Sequence, residues 1–308
     1  MAWLTFYYPQ FFAPVPCYRT RFGRKQGPNH KVFPPAIQLK TGNKFSRSAC
    51  TFIKMQSINP QFYSGTSGLN LPVPRLQYPP DFKGKSRLHY YAYLFNSIEI
   101  NSIFYKLPRA STVANWREMV PDHFKFTFKV SKTITHVKAL NFAVKDVDDF
   151  VKTVEHIGEK KGCLLAQFPP SLKIEKINQL QNLLEALAEA THNRNWNIAM
   201  EFRDPSWYER EVYELLEEFN VSLVIHDITK SATPLINSKT NFIYLRFHGP
   251  EPRYRGDYPE PFLKQYGGYI KEGINDKKIV YTYFNNTVGA AVKNLQTLNS
   301  YMHAGDHT

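Results

Sequence analysis

Short β-rich runs alternate with amphipathic helical stretches along most of this chain, and this alternation restricts the fold more than any other sequence feature. The strand candidates are QFYSGT from Gln61, SIEIN from Ser97, FKFTFKV from Phe124, CLLAQF from Cys163, IAMEF from Ile198, VSLVIH from Val221, FIYLRF from Phe242 and IVYTYF from Ile279. The helix candidates include stretches that begin at Ser111, Val147, Ile177, Glu211 and Val288. The connection after the sixth strand shows no regular pattern.

Strict alternation of strand and helix predicts a parallel sheet, because parallel neighbours need crossover connections. Eight repeats within residues 55–308 match the length of about 250 residues that is typical of a (β/α)8 barrel. The alternative is an open doubly wound sheet, but no GxGxxG motif follows any strand candidate and no GxxxxGK[ST] motif occurs. We therefore predict an α/β fold, a TIM-type (β/α)8 barrel with eight parallel strands, without a nucleotide cofactor motif.

Residues 1–54 differ in composition from the rest of the chain. They contain nine Lys or Arg residues, eleven aromatic residues, six prolines and no acidic residue. The frequent prolines argue against a signal peptide or an amphipathic transit helix. We expect that Met55 is the true start and that an over-extended gene prediction supplied the rest; the alternative is a disordered basic arm that contacts an acidic partner. Residues 55–308 are predicted to form a single TIM-like barrel domain.

The net charge of +13 does not by itself indicate a nucleic-acid partner. Of the 39 Lys and Arg residues, nine lie in residues 1–54, which leaves 30 against 26 acidic residues from Met55 onward. The remaining net charge is only +4, so the excess belongs mostly to the N-terminal segment. The chain has no long apolar stretch, no export signal and only three cysteines, so we expect a cytoplasmic protein without a membrane association.

Polar side chains recur at the ends of the strand candidates with a spacing of two residues. Because residues i and i+2 share one face of a strand, such pairs point together into the C-terminal mouth of a barrel, where barrel enzymes keep their active sites. The pairs are Glu99 with Asn101, Glu201 with Arg203, Arg246 with His248, and Tyr283 with Asn285. Other polar candidates near the mouth are Lys129, Gln167 and Asp227 at strand ends and His136 in the loop after the third strand.

These residue types favour an anionic ligand. Arg203, Arg246 and Lys129 are predicted to make the mouth cationic, and arginine is suited to phosphate or carboxylate. The carboxylates and His248 are candidates for general acid or base, or for holding a divalent metal. The candidates assigned to catalysis are Glu99, Glu201, Asp227 and His248; those assigned to substrate binding are Asn101, Lys129, His136, Gln167, Arg203, Arg246 and Asn285.

Several segments resemble the YecE-like family, also called domain of unknown function 72. They are EINSIFYKLP from Glu99, FKFTFKVSKTITH from Phe124, LLAQFPPSL from Leu164, MEFRDPSWY from Met200, YLRFHGP from Tyr244 and YTYFNN from Tyr281. The resemblance implies a TIM-type barrel, and it places ten of the candidates, all but Asp227, at motif positions around the mouth. The sequence departs from the family pattern after the first strand, and the family implies no particular reaction.

Three functional hypotheses remain open on the sequence. The first is an enzyme that acts on a phosphate ester or a nucleic-acid phosphodiester by acid–base or metal-assisted hydrolysis. The second is a non-catalytic binding module for nucleic acid or a phosphorylated metabolite, which predicts salt-dependent binding without turnover. The third is a purely structural role, which predicts that Arg246 can be replaced without loss of function. The oligomeric state is left open.

Overall fold

A computed structural model describes residues 59–235 and 239–303, and eight parallel strands form a nearly closed barrel within it. The strands are β1 (Phe62–Thr66), β2 (Ser97–Ile100), β3 (Lys125–Lys129), β4 (Lys161–Gln167), β5 (Asn197–Glu201), β6 (Ser222–His226), β7 (Phe242–Phe247) and β8 (Ile279–Phe284). Each predicted strand is present within a few residues of its expected position. The predicted (β/α)8 barrel is confirmed; the predicted extension, residues 1–54, lies outside the described residues.

Helices connect the strands on the outside of the barrel. They are α1 (Arg87–Leu94), α2 (Ala110–Glu118), α3 (Lys132–Thr135), α4 (Val144–Val154), α5 (Ile177–Thr191), α6 (Arg210–Glu218), α7 (Glu260–Asn275) and α8 (Ala291–His303). The described part of the connection between β6 and β7, residues 227–235 and 239–241, contains no helix. No helix of the described ranges is long and apolar enough to cross a membrane.

Alternate strand residues pack in two separate apolar layers. Residues such as Phe126, Leu164 and Met200 point outward and bury the inner faces of the helices. The inward-facing positions form a second core inside the barrel, composed of Cys163, Leu165, Ala199, Val224, Phe242, Tyr244, Tyr281 and Tyr283. Because side chains alternate between the two faces of a strand, the inward-facing residues at the C-terminal ends of the strands point into the mouth.

The barrel closes between β1 and β2 by an unusual set of hydrogen bonds. The Asn96 side chain donates from Nδ2 to the Phe62 carbonyl (2.8 Å) and accepts at Oδ1 from the Ser64 N–H (2.9 Å). Nearer the mouth, the Gly68 N–H donates to the Glu99 carbonyl over 2.7 Å. The side-chain amide thus takes the place of a strand ladder where the two backbones meet, and this closure holds Glu99 at the mouth.

Candidate functional site

Arg246 lies at the centre of the mouth, and its guanidinium joins two buried carboxylates. Its Nε is 3.0 Å from Glu99 Oε2, its Nη2 is 2.8 Å from Glu99 Oε1, and its Nη1 donates to Glu201 Oε2 over 3.0 Å. The Arg246 side chain is only 2% exposed, and both carboxylates are fully buried. Burying a charge is costly unless the charge is paired. The hydrogen bonds of this network pair the three charged groups, and this pairing allows them to occupy the barrel interior.

Both oxygens of Glu99 have hydrogen-bond donors. Besides the three hydrogen bonds from Arg246, the Tyr244 hydroxyl donates to Oε2 over 2.6 Å. Burial alone raises the pKa of Glu99, but the positive charge and hydrogen bonds of Arg246 outweigh it and lower the pKa below its usual value. Glu99 therefore stays ionised and enclosed, and this geometry does not support the predicted role of Glu99 as acid or base.

Glu201 is the point where several mouth residues meet. Its Oε1 accepts a short hydrogen bond from Arg203 Nε, and His248 Nε2 lies 3.4 Å from the same oxygen. Burial alone raises the pKa of Glu201, whereas Arg203 and Arg246 hold it well below its usual range. An ionised carboxylate that is held by two guanidinium groups is a counter-ion that fixes their positions, and it is a poor proton donor.

His248 is buried and neutral. The Asn285 side chain lies 3.0 Å from His248 Nδ1, and if its amide donates there the imidazole proton is on Nε2, the atom nearest Glu201. Burial lowers the pKa of His248 to about 3, against the opposing effect of Glu201. His248 and Asn285 are thus brought together at the mouth, as the sequence predicts, with His248 as an uncharged polar group.

Asp227 lies outside the charged network. Its Oδ1 accepts from the His248 backbone N–H over 2.7 Å, and its Oδ2 accepts a short hydrogen bond from the Tyr258 hydroxyl. Burial raises the pKa of Asp227. Both oxygens hold the loop that follows β7, so the geometry assigns Asp227 to positioning His248 and does not support the predicted catalytic role.

Lys129 ends β3 and is half-buried at the mouth. Its Nζ donates to Gln167 Oε1 over 2.7 Å and lies 4.2 Å from the centre of the Phe104 ring. Burial, followed by the positive charge of Arg246, lowers the pKa of Lys129 to about 8. The Lys129 ammonium group therefore loses its proton at a lower pH than an ordinary surface lysine.

His136 occupies the rim beside Lys129. Its Nδ1 lies 3.0 Å from the Thr135 hydroxyl, and its ring meets the Phe104 ring edge-on at 4.9 Å between centroids. Partial burial, then the charges of Lys129 and Arg203, lower the pKa of His136 to about 4. An exposed and neutral imidazole therefore lies next to two cations, in the place that the sequence predicts for it.

The mouth has a cationic upper layer over an anionic lower layer. Glu99 and Glu201 are fully buried, whereas Lys129 is half-buried and the Arg203 side chain is 13% exposed. Two carboxylates and three cations, with Arg246 included, give this cluster a net charge of +1 when its histidines are neutral. Both carboxylates are already bonded to guanidinium groups, and no group of three His, Cys, Asp or Glu residues in the described ranges could hold a metal ion.

Three residues that support the site were not among the sequence candidates. They are Tyr244, which bonds to Glu99, Phe104, which packs against Lys129, and Tyr258, which bonds to Asp227. Tyr244 precedes Arg246 by two residues, so the same period-2 argument places it beneath the mouth. Phe104 lies within the family-like segment EINSIFYKLP, but the spacing at the strand ends marked neither Phe104 nor Tyr258 as a residue of the mouth.

Similarity to known proteins covers most of the barrel. UPF0759 protein YecE of Escherichia coli is 30% identical over 125 residues, which is 41% of this chain and 44% of that protein. UPF0759 protein YunF of Bacillus subtilis is 26% identical over 243 residues, 69% of this chain and 84% of that protein. The match to YecE thus spans less than half of that relative's length.

Solved structures of the same family share the fold. A DUF72 family protein from Thermotoga maritima aligns with a TM-score of 0.64 at 26% identity, covering 78% of this chain and 98% of that one. A DUF72 family protein from Enterococcus faecalis has a TM-score of 0.64 at 20% identity, with coverage of 80% and 98%. The family model described as protein of unknown function DUF72 matches residues 63–308, and the chain belongs to this family.

Proposed function

We propose that the barrel mouth is the active site of an enzyme that hydrolyses a phosphate ester or phosphodiester. The observation that carries this proposal is the layered charge of the mouth, in which Lys129 and Arg203 lie above the buried Glu99 and Glu201. Among the described residues, Arg203 donates to Glu201 through Nε and its Nη atoms donate to none, and a guanidinium fork matches the geometry of a phosphoryl group.

The two carboxylates support the anion site without contacting the substrate. Glu201 holds the Arg203 guanidinium through Nε, which leaves the outer nitrogens for a ligand. Glu99 and Glu201 together hold Arg246, whose positive charge favours an anion above it. Preorganised charges of this kind act on the transition state without reorganisation when the reaction occurs.

Proton transfer is assigned to His136 and Lys129. A water oxygen forms the new bond to phosphorus while one of its protons passes to neutral His136. The ester P–O bond breaks, and the leaving oxygen takes a proton from Lys129, whose pKa of about 8 suits a general acid. His136 then returns its proton to Lys129 through solvent. A bound anion offsets the charges of Lys129 and Arg203, so it raises the pKa of His136 from about 4.

The proposal is tested with Lys129→Met in the full chain and Lys125→Met as the matched control. Lys125 lies on the same face of β3 at the opposite end of the barrel, where its Nζ donates to the Glu159 carbonyl. With p-nitrophenyl phosphate and bis(p-nitrophenyl) phosphate, we expect Lys129→Met to lower kcat/KM at least about tenfold, the effect of a lost charge-assisted hydrogen bond. Equal activities of the two variants would contradict the assignment.

A non-catalytic binding module is the second candidate. The observation that favours it is that Glu99 and Glu201 are engaged by arginine, so the mouth contains no free carboxylate pair for acid–base work. This candidate predicts that phosphorylated compounds or oligonucleotides bind to the full chain, that their affinity falls steeply with salt, and that no product forms. Isothermal titration combined with a phosphate-release assay distinguishes it from the enzyme.

A further inference from the structure

Four uncharged polar side chains lie along a second side of the mouth, beside the buried ion pair of Glu99 with Arg246. Ser67, Asn101, His248 and Asn285 follow or end β1, β2, β7 and β8, which are neighbours around the barrel. His248 is neutral, and the other three side chains have no charge. The cations Lys129 and Arg203 come instead from β3 and from the residues after β5. The mouth is therefore divided into a cationic side and a neutral polar side.

Polar atoms on the neutral side are buried without hydrogen-bond partners. Within the described residues, Asn101 Oδ1 has none, and Ser67 Oγ and His248 Nε2 face Glu99 and Glu201 without forming a hydrogen bond of good geometry. A buried polar group that lacks a partner destabilises a fold, so native structures rarely leave several together. One of these atoms accepts, one donates, and the Ser67 hydroxyl can do either. Ligand hydroxyl groups, which also donate and accept, complement all three.

The two sides meet at one atom, Glu201 Oε1. Arg203 Nε donates to this oxygen, and His248 Nε2 lies 3.4 Å from it. A ligand seated above Glu201 therefore reaches the cationic side through Arg203 and the neutral side through His248. The Tyr254 ring, which is 43% exposed and 5.8 Å from the His248 ring, flanks the neutral side and offers an apolar surface.

We propose that the ligand of the mouth is a sugar phosphate, with its phosphate on Lys129 and Arg203 and its hydroxyl groups on Ser67, Asn101 and His248. This inference rests on the proposed function, since it names the substrate class of the same site. An anion without hydroxyl groups satisfies only the cationic side. A sugar without phosphate satisfies only the neutral side, so the phosphorylated sugar binds more tightly than either part.

Isothermal titration of the full chain with inorganic phosphate, ribose 5-phosphate and glucose 6-phosphate tests the inference. We expect at least one sugar phosphate to bind about tenfold or more tightly than inorganic phosphate, because the additional hydrogen bonds reach buried partners. Asn101→Ala is expected to abolish that difference and to leave the affinity for inorganic phosphate unchanged. Asn141→Ala, at an exposed residue in the loop after β3, is the matched control.

The possible outcomes separate the two proposals. Binding of neither inorganic phosphate nor a sugar phosphate would overturn the anion site and this inference together. Equal affinities for inorganic phosphate and all sugar phosphates would overturn the sugar phosphate alone. Tight binding of a single-stranded oligonucleotide without binding of free sugar phosphates would replace it with a nucleic-acid ligand. If Asn101→Ala is poorly folded by circular dichroism, Ser67→Ala provides the same comparison.

Discussion

Arg246 is the residue on which the charge balance of the mouth depends. It donates to both Glu99 and Glu201, and each of the three side chains is buried. Glu201 keeps Arg203 as a second partner, whereas Glu99 has no other cation in the recorded ion pairs of the described residues. Loss of the Arg246 guanidinium therefore leaves Glu99 as a buried charge with only neutral donors such as Tyr244.

We predict that Arg246→Ala lowers the free energy of unfolding by about 3–5 kcal/mol, because it leaves an uncompensated buried charge. Urea unfolding of the full chain measures the change. The double variant Glu99→Gln with Arg246→Met should lose less stability than Arg246→Met alone, since it removes both charges. Arg210→Ala, at a side chain that is 90% exposed, should change stability by less than about 1 kcal/mol. An Arg246→Ala protein as stable as Arg210→Ala would contradict the ion-pair account.

The pKa of Lys129 predicts how anion binding depends on pH. Sulfate is a suitable probe because its charge is constant across the range. Protonated Lys129 favours the anion, so affinity should be constant below about pH 8 and should weaken as the pH rises through the Lys129 pKa of about 8. Titrations at pH 7 and pH 9.5 should differ for the unmodified chain and for Lys125→Met, but not for Lys129→Met. A pH dependence that persists in Lys129→Met would assign the titration to another group.

At the scale of elements, strands were more predictable than helices. Runs of β-branched and aromatic residues, alternating or continuous, marked all eight strands. Such runs are easy to recognise because buried positions in a strand recur every two residues or form one short apolar stretch. The helix α7 (Glu260–Asn275) was not predicted, since Gly267, Gly268 and Gly273 are poor helix formers and its stability depends on packing. Because residues i and i+2 share one face of a strand, the spacing of polar residues at the strand ends predicted which side chains enter the mouth.

The junction of β1 with β2 requires a residue without a side chain at position 65. A Cβ on Gly65 would lie 2.1 Å from the Ser97 carbonyl oxygen and 3.0 Å from the Tyr91 hydroxyl. We predict that Gly65→Ala separates the two strands and lowers the free energy of unfolding by about 1–3 kcal/mol or more.

The matched control for this junction is Gly268→Ala. A Cβ at Gly268 would meet no atom within 4 Å, and alanine favours a helix over glycine by about 1 kcal/mol. Thermal unfolding should therefore show a lower Tm for Gly65→Ala and an unchanged or higher Tm for Gly268→Ala. If both variants unfold at the same temperature as the unmodified chain, the close approach of β1 and β2 is not required.

At the scale of the whole molecule, barrel closure creates contacts that the sequence alone does not specify. Glu99 and Arg246 are 147 residues apart, yet they share three hydrogen bonds. The alternation of side chains along each strand predicts that both residues point into the mouth. Whether they pair depends on the distance across the barrel, which the sequence does not give. For this reason the sequence indicated which residues lie at the mouth but not how they pair: Glu99 and Glu201 form ion pairs with arginine, and their roles as acid and base stay predictions.

The proposed function requires that the mouth bind a phosphoryl anion between Lys129 and Arg203. A crystal structure of the full chain grown with tungstate, a heavy anion with the tetrahedral shape of phosphate, tests it most directly. We expect an anomalous peak at the mouth within hydrogen-bond distance of Lys129 Nζ and the Arg203 guanidinium, and we expect this peak to be lost in Lys129→Met. A well-ordered mouth without such a peak, with tungstate bound only elsewhere on the molecule, would contradict an anion site between Lys129 and Arg203.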